Sequence, residues 1–407
     1  MRCRHCGGQS LHRFLDLGFA PPSNAYLTKD RLNSPELYYP LRVKVCDQCW
    51  LVQTEDYAEA EELFTADYAY FSSTSSTWLS HAKYYFSKIV PQLNLMADSY
   101  VIEVASNDGY LLKNFVEAGI PCLGIEPTES TADVAEANGI PVCREFFGEQ
   151  VGQQLASTGK QADLIIGNNV YAHVPDINDF TRGLKAALKP GGTITLEFPH
   201  LLSLINNLQF DSVYHEHFSY LSLHAVDQIF AASGLCIWNV EKLPTHGGSL
   251  RVYGCHEECA FAIKPSVSAL LDEEKVFGLK ELKTYTQFQG QVEKIKDNLL
   301  SFLIERKSSG DLIAAYGAAA KGNTLLNYAG VKSDLLPFVC DAAQIKQGKF
   351  LPGSHIPIVP PERLLQSRPD YVLIFPWNIA REIMRENAEL VAGGTKFVVA
   401  IPEVQEL

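Results

Sequence analysis

From residue 99 to about 198, apolar runs of strand length alternate with stretches of helical period. That alternation leaves few solutions other than a largely parallel sheet layered by helices. The pattern predicts strands over 100–105, 122–126, 164–168 and 193–198, with helices over 110–118, 129–138 and 177–188. The turn Lys189-Pro190-Gly191-Gly192 stops the last helix and starts a strand. A helical stretch over 75–97 precedes this region, and a further helix–strand passage over 222–242 leads through Pro244–Ser249 into a strand over 250–254. Residues 266–308 are charge-rich with a helical period and read as one or two linking helices. A second α/β unit follows, with strands over 312–316, 337–341, 371–375 and 397–401. For 407 residues, two or three domains are expected. The boundaries fall near 70 and 260, giving units 1–70, 71–260 and 261–407.

The first unit is turn-rich, broken by Pro21, Pro22, Pro35 and Pro40, and carries Cys3-Arg-His-Cys6 and Cys46-Asp-Gln-Cys49. Two such knuckles offer four thiolates, which suits tetrahedral Zn²⁺ and leaves no position for water, so the metal is expected to be structural. The interval between the pairs is longer than the roughly 15–20 residues common between knuckles. A redox pair is the alternative, and His5 is expected to pack beside the site. Paired cysteines of this kind point to reduced thiols and a cytoplasmic address. No apolar run of signal or membrane-spanning length is seen. The formal charge of -13, with no Lys/Arg-rich run, argues against nucleic acid and against anionic membrane surfaces. The oligomeric expectation is a monomer or a small homo-oligomer.

The first strand ends in Glu103-Val-Ala105-Ser-Asn107-Asp108-Gly109-Tyr110, a strand, a polar turn and a helix start, where backbone N–H groups face a ligand. With a single glycine it is not a dinucleotide fingerprint. It suits the methionyl end and ribose of S-adenosylmethionine. Glu126, ending the next strand, is placed to accept from ribose hydroxyls, and Asn168 and Asn169 end the following strand at the same sheet edge, where ligands of open α/β sheets collect. Helix capping by Asn107 and Asp108 and a solvated Glu126 are the plainer alternatives.

Asp211-Ser-Val-Tyr214-His215-Glu216-His217-Phe218 lacks a clear helical period and reads as a loop over a site. A neutral His is a good base near pH 7, a neighbouring carboxylate fixes its tautomer, and a Tyr hydroxyl donates to a developing oxyanion. That set suits proton removal next to a carbonyl. Spacing leaves His215, Glu216 and His217 as alternatives for the base; a metal site lacks the helical His pair it would need. In His246-Gly247-Gly248-Ser249-Leu250-Arg251 the glycines admit a ligand, and Arg251 is placed to grip phosphate or a sugar oxygen, unless this is an ordinary turn before a strand. Tyr68 and Tyr70 are candidates for a wall of the acceptor pocket.

In the second α/β unit, Gly317-Ala-Ala-Ala-Lys321-Gly322 joins strand to helix and Asp341 ends the next strand, the outline of a degenerate mononucleotide-binding half. Lys346 and Lys349 add cations suited to a pyrophosphate. Two nucleotide-type sites imply two nucleotide-bearing ligands. A lid or dimerisation unit is the alternative.

Taken together, the CxxC pairs, EVASNDGYLL, NNVYAHVPD, YHEH, THGGSLR and GAAAKGNT with DAAQIKQGKFLPG resemble the sugar C-methyltransferases of deoxysugar biosynthesis, such as the nucleotide-linked 4-keto-hexose 3-C-methyltransferases, over essentially the whole chain. The resemblance implies a small N-terminal zinc-binding module, a central Rossmann-like class I methyltransferase domain and a C-terminal Rossmann-like α/β domain. It implies S-adenosylmethionine and a structural Zn²⁺, with a dTDP- or GDP-linked keto-sugar as partner. It puts His217 as the base at C3, Glu216 and Tyr214 in support, and Tyr68 or Tyr70 near the acceptor. His246 and Arg251 fall in the acceptor pocket, and Lys321, Lys346 and Lys349 on the nucleotide side. Ala105 departs from the Gly of many methyltransferases and narrows the clearance over the cofactor. The competing readings are an NAD-dependent nucleotide-sugar oxidoreductase or epimerase, and a non-catalytic zinc-containing nucleotide-sugar-binding protein.

Overall fold

Seven strands build the central sheet of the computed structural model, which describes residues 1–55, 57, 72–74, 76–259 and 261–407. Tyr68 and Tyr70 lie outside the described residues. The strand order is Leu235–Leu243, Ser249–His256, Leu188–Pro199, Ala162–Asn168, Val101–Val104, Cys122–Ile125, Val142–Cys143. The last five run parallel, while Ser249–His256 is antiparallel to both neighbours. This is the class I methyltransferase sheet. Val101–Val104 and Cys122–Ile125 are buried at every position, as strands covered by helices on both faces must be.

Each strand expected in this region is present within a few residues, and the elements not foreseen include the short strand Val142–Cys143 and the helices Glu149–Ser157 and Leu201–Asn206. Leu188–Pro199 starts five residues earlier than the apolar run suggests, because Leu188 already pairs with Ala162 and Lys189–Gly192 bulge from the ladder before pairing resumes between Thr193 and Leu164. Gly192 permits this: a Cβ there would lie 2.8 Å from the Ala162 carbonyl oxygen. The helix Ser76–Leu93 lays Ala82, Tyr85 and Ile89 on the core.

The N-terminal unit is an antiparallel sheet of Leu11–Ala20, Tyr39–Cys46 and Val52–Thr54, completed by Ser219–Tyr220 from the middle of the chain. The C-terminal sheet runs Ile358–Val359, Val339–Cys340, Ile313–Tyr316, Tyr371–Ile374, Lys396–Val399 in parallel, with Gln405–Glu406 antiparallel at one edge. Three linking helices, Pro265–Phe277, Leu282–Thr286 and Phe288–Ser309, precede it. One continuous core joins Phe14, Leu15 and Val43 of the first sheet, Tyr285, Phe288 and Leu299 of the linker, and Ile313 and Leu373 of the last sheet. Phe14 stacks on Phe288 at 4.7 Å. Each such buried side chain contributes about 1.5–3 kcal/mol, so the outer units stabilise one another. Among the described residues no helix is long and apolar enough to cross a membrane.

Candidate active site

The loop after Val101–Val104 turns by means of three residues in the left-handed region, Ala105 (φ 56°), Asn107 (φ 50°) and Gly109 (φ 77°). Ala105 therefore holds a conformation that glycine adopts more easily. The loop is fixed from both sides. Glu126 accepts the backbone N–H of Asn107 and of Thr128, each at 2.9 Å. The Asn107 and Asp108 side chains accept the N–H groups of Ser72 and Ser73 at 2.9 and 3.0 Å. Glu126 keeps further lone pairs for ribose hydroxyls, while Asn107 and Asp108 cap the turn Ser72–Thr74 rather than their own helix. Glu103 is fully buried; burial lifts its carboxyl well above the usual range, with Asp108 and Glu126 adding to the push and the Tyr110 hydroxyl opposing it.

Asn168 and Asn169 stand at the adjacent strand end. Their side-chain carbonyl oxygens are buried with no hydrogen-bond partner among the described residues. Orphaned acceptors at the carboxyl edge, beside a left-handed turn, fit a nucleoside ligand with donors of its own. Asn169 (φ 54°) also faces His246 (φ 52°), Nδ2 to Nε2 at 3.2 Å, so two non-glycine residues in the left-handed region brace each other. Strain of this kind persists where the surroundings over-determine it.

His217 is 8% exposed, and its Nδ1 lies 2.8 Å from the Ser212 carbonyl oxygen. A carbonyl only accepts, so Nδ1 carries the hydrogen and Nε2 is the nitrogen with the lone pair. The sequence-based expectation that a carboxylate sets this tautomer is corrected: a backbone carbonyl does so. Glu216 instead accepts from Asn24 Nδ2 at 2.8 and 2.9 Å, which ties the loop carrying His217 to the zinc-bearing unit. Tyr214 lies over the His217 ring at 3.9 Å, and His173 meets it edge-on at 4.6 Å. His215 turns away toward the Tyr39 carbonyl.

Burial, reinforced by His173, holds His217 well below the ordinary imidazole range. His173 and His246 are pushed down to about 4 by burial. His217 is thus neutral at pH 7, ready to accept a proton but weak as a base until negative charge develops beside it. The acid limb of kcat/KM is expected to break well below pH 6.5, measured by methyl transfer from pH 4.5 to 8. A limb centred at or above 6.5 would mean another base.

Arg251 requires a correction. It is not a grip on the acceptor: it is 3% exposed and pairs with Glu197 at 2.6 Å, with its guanidinium 4.4 Å from the Tyr85 ring. Glu197 also meets His81 at 2.9 Å and accepts from Thr245 Oγ1 at 2.9 Å. Against the upward push of burial, His81, Arg251 and Thr245 hold its carboxyl at about 2. Arg251 therefore anchors the loop carrying His246 by way of Glu197. Arg251→Met strands a buried carboxylate and is expected to lower the unfolding free energy by about 3–5 kcal/mol. Arg251→Met with Glu197→Gln should recover most of that loss in the same denaturant titration.

The carboxyl edge of the C-terminal sheet faces this site. Trp377 donates its Nε1–H to Asp211 at 2.7 Å, and a side chain at Gly247 would collide with the Trp377 ring. Lys321 lies over that ring. Asp341 and Lys346 pair at 3.4 Å, and Lys346 also donates to the Ala318 carbonyl at 3.0 Å, which Tyr26 reaches at 2.6 Å. Lys349 is half-buried in the turn after Lys346. Asn24, Tyr26, Trp377 and Glu197 carried no motif, and Asp211 stood in the singled-out loop without a role of its own; only the fold brings them together.

Cys3, Cys6, Cys46 and Cys49 place their sulfurs within 4.8 Å of one another, with Cys3–Cys49 at 3.4 Å and Cys6–Cys46 at 3.6 Å. A tetrahedron with Zn–S bonds of about 2.3 Å has edges of about 3.8 Å, so the set fits zinc with all four positions filled by protein. His5 is no ligand; its Nδ1 lies 2.9 Å from Asn178 Oδ1 and docks the knuckle on the central domain.

Residues 3–64 match a family model for a zinc binding domain, 78–240 one for a methyltransferase domain, and 244–402 one for a C-methyltransferase C-terminal domain. The chain is 33% identical over 401 residues to the C-methyltransferase NovU of Streptomyces niveus, across 98% of this chain and 95% of that protein. It is 27% identical over 101 residues to a ubiquinone biosynthesis O-methyltransferase of Methylobacterium sp. (strain 4-46), across 24% of this chain and 39% of that protein. A solved magnesium protoporphyrin IX methyltransferase of Synechocystis PCC 6803 with bound SAM aligns with 44% of this chain and 79% of its own, at 15% identity and a TM-score of 0.34.

Proposed function

Because the chain belongs to the C-methyltransferase family that includes NovU, we propose that it methylates carbon on a nucleotide-linked 4-keto-deoxysugar, at C3. The oxidoreductase and non-catalytic readings give way to that family membership. S-adenosylmethionine, the cofactor, supplies an electrophilic methyl group. Glu103, Ala105, Asn107, Asp108, Glu126, Asn168 and Asn169 are the residues that hold it, at the carboxyl edge of the central sheet.

A sugar carbon becomes nucleophilic only after losing a proton, and a C4 carbonyl acidifies both of its neighbours. The observation that carries the reading is His217, with Nδ1 committed to Ser212 and Nε2 left to accept that proton. Tyr214 stacks on the base and limits its rotation. Glu216, held by Asn24, fixes the loop and offers acceptors to sugar hydroxyls. His246 borders the acceptor from the cofactor side through Asn169. Asp341, Lys346 and Lys349 bound the nucleotide side, with dTDP or GDP as carrier. In this assignment 1–70 carries zinc, 71–260 the cofactor and base, and 261–407 the nucleotide sugar.

Thermal unfolding with S-adenosylhomocysteine, NAD, dTDP and GDP, each added separately, tests this assignment. A ligand of the native state stabilises by about 2.7 kcal/mol at a hundredfold excess over its Kd. Shifts with S-adenosylhomocysteine and with one nucleoside diphosphate are expected. A shift with S-adenosylhomocysteine alone would remove the nucleotide sugar from the proposal.

A further inference from the structure

Lys321 occupies the first turn of the helix Ala320–Ala329, after Ile313–Tyr316 and beside Tyr371–Ile374, where the order of the C-terminal sheet reverses. Its Nζ is buried and has no hydrogen-bond partner among the described residues. The ammonium stands 4.2 Å from the centroid of the Trp377 ring, and Trp377 is bonded to Asp211 Oδ2. Asp211 Oδ1 is likewise buried without a hydrogen-bond partner among the described residues. The next residue, Ser212, holds the base His217. One turn along the same helix, Thr324 donates to the Val213 carbonyl at 2.8 Å, so the helix that carries Lys321 is docked on the loop that carries the base. Lys346 and Asp341 are already engaged with each other and with Ala318.

A buried ammonium with unused donors is costly, and it is most useful where negative charge appears during a reaction. Burial lowers its pKa and Asp211 opposes that shift, which helps it remain charged. We propose that Lys321 Nζ binds the C4 oxygen of the keto-sugar and stabilises the oxyanion formed when His217 takes the C3 proton, instead of gripping the diphosphate. The inference rests on the keto-sugar reaction proposed above. In that step the C3–H bonding pair becomes the C3–C4 double bond, the carbonyl pair moves onto oxygen, the proton goes to His217 Nε2, and the lysine stays protonated. When the C3–C4 π pair bonds to the methyl carbon, the methyl–sulfur bond breaks with its pair left on sulfur, S-adenosylhomocysteine is the leaving group, and the pair on oxygen restores the carbonyl.

The test uses Lys321→Met and Lys321→Gln with dTDP-4-keto-6-deoxyglucose as probe. The readouts are solvent deuterium entry at the carbons beside the carbonyl without S-adenosylmethionine, methyl transfer with it, and dTDP affinity. The expected result is a loss of about 10²- to 10³-fold in exchange and in kcat for Lys321→Met, the scale of one lost oxyanion donor. The dTDP Kd should stay within about twofold of wild type. Wild-type exchange at both variants' active sites, or a weakened dTDP Kd with kcat preserved at saturation, would overturn the assignment. If Lys321→Met does not fold, the same comparison on Lys321→Gln decides it. If the wild type itself neither exchanges nor methylates the dTDP- or the GDP-linked probe, the reaction proposed above fails, and this inference with it.

Discussion

His217→Ala is expected to slow methyl transfer by about 10²- to 10⁴-fold, the usual contribution of a positioned general base. Both ligands should still bind, because the ring touches Ser212, Tyr214, His173 and Tyr220 rather than the turn at Ala105–Gly109. The informative comparison is solvent exchange at the acidic carbon against S-adenosylhomocysteine affinity. The first should collapse and the second should hold. Retained exchange would move the base elsewhere, with His215 disfavoured by its contact with the Tyr39 carbonyl.

Loss of zinc is expected to have the other large effect. Binding of a structural Zn²⁺ contributes about 10–16 kcal/mol in small zinc modules, comparable to the whole stability of a domain. Cys46→Ser breaks the tetrad at a fully buried ligand, at the end of Tyr39–Cys46. Damage there should not stay local. Phe14 and Leu15 share a core with Phe288 and Leu373, and Asn24 holds Glu216. The expected outcome is stoichiometric zinc in the wild type, none in Cys46→Ser, a large drop in unfolding midpoint, and loss of turnover beyond what unfolding explains. A metal-free variant with wild-type midpoint and activity would contradict a structural role.

What the sequence disclosed and what it hid follow the range of the interactions concerned. The strands around 101–104, 122–125 and 162–168 are mostly apolar runs, broken only by Glu103, Asp163 and the terminal Asn168, with turn residues at their ends, so they show in a short window. The cysteine tetrad also shows, because its two halves are local pairs. Leu11–Ala20 did not: its alternation is broken by two irregularities in its pairing with Tyr39–Cys46, and its burial comes from partners far along the chain. Ser219–Tyr220 is a two-residue strand recognisable only by its partner Val52–Thr54. Arg251 was misread for a related reason. Beside two glycines it resembles a ligand grip, but antiparallel register sets it opposite Glu197. Asn24, Asp211 and Trp377 reach the site from three units of the chain; no local pattern marks Asn24 or Trp377, and none sets Asp211 apart within its loop.

Carbon methylation of a nucleotide-linked 4-keto-sugar leaves a signature in the product. Its most direct test is NMR of the product formed from methyl-labelled S-adenosylmethionine with dTDP-4-keto-6-deoxyglucose and, separately, its GDP counterpart. One carrier is expected to support turnover, with the labelled methyl bonded to C3 and the C4 carbonyl retained. Label on oxygen or nitrogen, or no labelled sugar from either carrier, would contradict it.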